Sequence, residues 1–117
     1  MAYELKQIQY VDLTSVDYAK YEMYDVNNST TFTLSSATYE VIAATDGTVV
    51  LSGSSSVNNT DTDAEGNTIK TIQSVLTFTN TDISTGYYYL ILKVTLSTGE
   101  IEIFRVTYQV KNYKEVY

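Results

Sequence analysis

The sequence predicts an all-β domain, an antiparallel sandwich of about seven strands. Three observations predict it. Runs rich in Thr, Val, Ile and Tyr alternate with a period of two. Turn signals separate these runs at roughly the 8–12-residue spacing of sandwich domains. No internal repeat is present, which argues against a solenoid or propeller.

The elements follow in chain order. Leu5, Ile8 and Tyr10 mark a first strand. Tyr18, Tyr21 and Tyr24 have helical spacing, but the same segment also alternates, with Tyr21 and Met23 opposite Glu22 and Tyr24. Tyr is a good strand former and no capping pattern is strong, so a strand is expected. Phe32 and Leu34 mark a short strand. Thr38 to Ala44 and Thr48 to Ser52 flank Thr45-Asp46-Gly47, and Asp-Gly is a strong hairpin signal. The polar stretch Ser52 to Asn67 reads as a flexible loop. Ile69 to Thr79 is the next strand, with Ile72, Leu76 and Phe78 in phase.

The clearest run is Tyr87 to Leu96. Tyr88, Leu90, Leu92 and Val94 share one face; Tyr87, Tyr89, Ile91 and Lys93 share the other. A Ser97-Thr-Gly-Glu100 turn leads into Ile101 to Val110, where Phe104, Val106, Tyr108 and Val110 lie opposite Ile101, Ile103, Arg105 and Thr107. The expected core comprises Tyr88, Leu90, Leu92, Leu76, Phe78, Phe104 and Val106. The expected organisation is an N-terminal strand or arm (1–15), the sandwich (16–111) and a C-terminal tail (112–117).

Composition excludes several functions. The chain has 117 residues and no Cys, His, Pro or Trp. It therefore lacks the usual nucleophile–base pairs, zinc ligands and disulfides. The formal net charge is -7 with no basic run, which argues against nucleic acid and against an anionic membrane surface. No stretch approaches the roughly 20 apolar residues of a membrane helix. The N-terminus has no apolar signal region, so synthesis in a host cytoplasm is expected.

Candidate chemistry is sparse. Asp61-Thr-Asp63-Ala-Glu65-Gly66 partly resembles a calcium loop, but the twelfth position from Asp61 is Ile72 where an EF-hand needs Glu. The EF-hand is rejected; a weaker oxygen-rich calcium site stays open against the alternative of a solvated acidic loop. Most acidic residues, among them Asp12, Asp17, Asp46, Asp82 and Glu100, fall in turns or on solvent faces, so no acid–base carboxylate pair emerges. The sequons at Asn27-Asn28-Ser29-Thr30 and Asn58-Asn59-Thr60 read as chance matches. No catalytic, cofactor-binding or metal residue is assigned, and no enzyme is expected.

Asp82-Ile-Ser-Thr-Gly86-Tyr-Tyr88-Tyr-Leu90-Ile-Leu92-Lys-Val94 resembles the penultimate strand of immunoglobulin-like sandwich domains. The resemblance implies that Tyr88 is a core tyrosine whose hydroxyl bonds a turn backbone. The order Phe32 to Val41, Asp46-Gly-Thr-Val-Val50, a polar loop, Gly86-x-Tyr88 and Gly99 is similar to the immunoglobulin-like N-terminal module of phage baseplate upper proteins and to small stand-alone phage head and tail proteins. That similarity implies a structural role in a virion, without cofactor or catalysis.

The outward face of the last hairpin is the candidate site. With Tyr88, Leu90 and Leu92 inward, Tyr87, Tyr89, Ile91, Ile101 and Ile103 point outward and form an apolar, aromatic interface. The expected partners are other virion structural proteins or further copies of the chain, giving an oligomer in the assembled particle. The alternative is a carbohydrate- or cell-surface-binding adhesion module, since tyrosine faces also stack on sugar rings. That alternative calls for aromatics in a cleft beside Asp or Asn, and the loops carry aromatics only near the termini.

Overall fold

A computed structural model describes residues 3–12, 16–27, 31–77 and 86–110. Phe78, Asp82 and the tail 112–117 lie outside the described residues. Seven strands form: β1 (Tyr3–Asp12), β2 (Val16–Asp25), β3 (Leu34–Ala43), β4 (Val49–Thr62), β5 (Thr68–Thr77), β6 (Gly86–Leu96) and β7 (Ile101–Val110). They make one antiparallel sheet, ordered β1-β2-β5-β4-β3-β6-β7 and curled until it nearly closes into a barrel. All-β architecture with seven antiparallel strands is therefore as the alternation predicts. The layering is a single curled sheet.

The two hairpins read from the sequence are present. Gly47, at φ 76°, supplies the left-handed residue of the β3–β4 turn, where Ala43 N–H bonds the Thr48 carbonyl at 2.9 Å. In the β6–β7 turn, Leu96 N–H bonds the Glu100 carbonyl at 2.8 Å. Residues 18–24 are strand, within β2, with Ala19, Tyr21 and Met23 buried. The spacing of Leu5 and Ile8, odd for a strand, coincides with a bulge in β1 between Gln7 and Gln9. Tyr3–Asp12 pairs along its length with β2.

The core follows the predicted phase. Leu90, Leu92, Val94, Val41, Ile72 and Leu76 are fully buried, and Tyr88 is buried with them. Phe104 and Val106, on an edge strand, are only partly covered.

Two expectations fail. Phe32 and Leu34 do not form a short strand of their own: Leu34 opens β3, continuous through Ala43, and Phe32 precedes it. Ser52–Asn67 is not a flexible loop: residues 52–62 are the body of β4, and only 63–67 form a turn. Up to Ser55 the strand pairs with β3; from Ser56 it pairs with β5. Side chains complete the join where β3 and β5 part. Asn59 mimics a ladder step: Leu34 N–H donates to its Oδ1 at 2.7 Å and its Nδ2 donates to the Leu34 carbonyl at 2.9 Å. The Tyr39 hydroxyl donates to the Val75 carbonyl at 3.2 Å, and the Ser55 and Ser74 hydroxyls bond at 2.9 Å. Gly53 lies opposite Tyr39, where a Cβ would approach the Tyr39 hydroxyl to 2.8 Å.

Candidate interaction surface

Strand register assembles the outward face of β3, β6 and β7. Tyr89 lies between Ile42 and Thr107, Ile91 between Glu40 and Arg105, and Lys93 between Thr38 and Ile103. The five candidate residues share this face but divide into two zones. Tyr87, 61% exposed, precedes Tyr89 along β6 at one end, where Ile42 pairs with Tyr89 on one side and Val49 on the other. Ile101 and Ile103, 52% and 66% exposed, sit at the other end on the edge strand. Between them run Glu40, Lys93 and Arg105.

Tyr89 and Ile91 are half-buried. The Arg105 guanidinium lies over the Tyr89 ring, 4.6 Å from its centre, a cation–π contact that covers part of the aromatic surface. Ile91 lies between Glu40 and Arg105. The exposed apolar surface is thus Tyr87, Ile101 and Ile103, joined by Val49, which is 50% exposed. Alternation within β6 and β7 could not select Val49, because it reaches this face through the pairing of β4 with β3. Tyr88, the predicted core tyrosine, lies inward between Ala43 and Tyr108.

The acidic turn has structural work of its own. A bulge between Asn58 and Asp61 turns Asp61 onto the outer face, where Lys20 Nζ meets its Oδ2 at 2.7 Å and the Thr71 hydroxyl donates to the same oxygen at 2.9 Å. These two contacts hold its carboxyl below the usual range. Asp63 accepts from the Asn67 and Glu65 N–H groups, each at 2.9 Å, and the first of these chiefly lowers its pKa. Both carboxylates are thereby committed to the fold, and no cluster of three potential metal ligands occurs among the described residues.

A small cavity lies at one mouth of the curled sheet. It measures about 170 Å³, with Tyr3, Phe32 and Leu96 at its base and the exposed Thr31, Thr33, Ser97, Thr98 and Glu100 at its rim. Tyr3 and Phe32 pack edge to face at 4.9 Å. Sequence reasoning missed it because its residues come from β1, the segment before β3 and the β6–β7 turn. A scan against family models, a search of curated proteins and a search of solved structures each found no match to the chain.

Proposed function

We propose that the chain is a non-enzymatic structural protein of a bacteriophage particle, a head, neck or tail component that acts through protein–protein contacts. The observation that carries this reading is the exposure of Tyr87, Ile101, Ile103 and Val49 on one sheet face. They form two apolar zones at opposite ends of that face, with Glu40, Lys93 and Arg105 between them, an arrangement that suits a partner contact with apolar anchors around a polar middle. In favour of an immunoglobulin-like framework is the strand order. Read as A to G, β1-β2-β5-β4 follows A-B-E-D and β3-β6-β7 follows C-F-G, the two sheets of that sandwich, with β4 bridging them. The phage assignment rests on the sequence resemblance.

The test is the double variant Tyr87→Lys, Ile103→Glu. Both side chains are more than half exposed, so the isolated domain should melt as the wild type does. Self-association measured by sedimentation, and incorporation into purified particles measured by mass spectrometry, should be lost. Normal assembly of the double variant overturns the reading.

A further inference from the structure

The mouth cavity has a chemistry distinct from the outward face. Its floor is apolar: Phe32 and Leu96 are buried, and Tyr3 forms a wall. Its rim carries the hydroxyls of Thr31, Thr33, Ser97 and Thr98, and a single charge, Glu100. The Thr33 and Ser97 hydroxyls bond each other at 2.6 Å, and Ser97 N–H bonds the Thr33 carbonyl at 3.0 Å, so the two rim segments are fastened together. Burial chiefly raises the pKa of the Tyr3 hydroxyl, and Glu100, Asp25 and Glu102 raise it further. Lys70 lies over the Phe32 ring, 5.3 Å from its centre, and is not among the residues lining the cavity.

About 170 Å³ is below the roughly 300–1,000 Å³ of pockets for drug-sized ligands. Such a space takes one side chain. An apolar floor, an aromatic wall, hydroxyl acceptors and one carboxylate suit an extended aliphatic stem that ends in a cation. We propose that this cavity binds the alkylammonium side chain of a lysine presented by a partner protein, the stem lying on Phe32 and Leu96 and the ammonium meeting Glu100 and the rim hydroxyls. This goes beyond the assembly reading and uses a different surface, so either can fail without the other.

The experiment titrates the isotopically labelled protein with N-acetyl-lysine N-methylamide at fixed ionic strength and follows backbone amide shifts. Saturable shifts are expected at Thr33, Ser97 and Thr98. N-acetyl-norleucine N-methylamide, which keeps the stem without the charge, should bind weaker by roughly tenfold or more, the scale of a lost charge-assisted hydrogen bond. Glu100→Gln should weaken the lysine analogue similarly while leaving the melting temperature unchanged. Phe32→Leu keeps the floor apolar and should weaken binding through loss of the ring. Equal binding of the two analogues, indifference to Glu100→Gln, or an absence of saturable shifts at the rim overturns the proposal. Tighter saturation of the same amides by methyl β-glucoside overturns it in favour of a sugar site.

Discussion

The two halves of the curled sheet are held together by different means. Around β3 and β6 the buried residues are all apolar or aromatic: Leu34, Val41, Leu90, Leu92, Val94 and Leu96 pack with Ala37, Tyr39 and Tyr88. Around β2, β5 and the second part of β4, Ala19, Tyr21, Met23, Ile72 and Leu76 are buried too, but this half also holds all three buried polar residues among the described ones, Asp25, Thr71 and Ser74. The first half is stabilised by removing hydrocarbon from water. The second depends more on satisfying polar groups that packing has desolvated, and these lose most when one partner is removed.

Substitutions in each half test this contrast. The largest effect belongs to the apolar half: Leu92→Ala should cost about 2–5 kcal/mol in chemical denaturation, because its neighbours cannot collapse fully into the space. A loss well below that range would show that β3 and β6 pack loosely. Next comes Asn59→Ala, which strips both partners from the part-buried backbone of Leu34; about 1–3 kcal/mol is expected for such orphaned groups. A value near zero would mean that water replaces the amide and that the join between the two halves is not specified by these hydrogen bonds.

A smaller change is expected at the Lys20–Asp61 pair, whose side chains are 27% and 20% exposed. Lys20→Met should cost less than about 1 kcal/mol, as solvent screens pairs of this kind. Acid provides the last probe. The folded-state pKa values of Asp61 and Asp63 lie below the ordinary value of 3.8. Each therefore contributes stability above that value, and the contribution fades as pH falls through the lowered folded value. Melting temperature should drop on acidification below about pH 4, and less steeply in Asp61→Asn and Asp63→Asn. Parallel acid curves for wild type and variants would assign acid sensitivity to other groups.

The same contrast explains what the sequence made legible. β6 and β7 are visible because their alternation is hydrophobic against polar, and the buried phase of Leu90 and Leu92 follows directly from it. β4 is invisible past Leu51 because its alternation sets polar against polar. Ser55, Val57 and Asn59 are half-buried while Ser56, Asn58 and Thr60 are exposed, yet only Val57 among them is apolar. The strand is specified by Ser74 and the Leu34 backbone, on the strands to either side, beyond the reach of a local pattern. The outward face was legible in its phase. Its division into two zones was not, because Arg105 folds over Tyr89, and a period-two reading carries no information on where a long side chain lies. The mouth cavity left no local signal, since Tyr3 and Phe32 meet only through the fold.

The crossing within β4 has a kinetic consequence. Ser55 closes the ladder to β3 and Ser56 opens the ladder to β5, so neither half can separate without breaking the bonds of one continuous strand. Amide exchange in the two halves should then report a single opening event, with β4 in native-state hydrogen exchange behaving as part of both. Closing β6 onto β3 and β2 onto β5 joins residues far apart in the chain, so refolding should be slow for a domain of this length. The local β3–β4–β5 meander, whose turns are short, offers the natural place for it to begin.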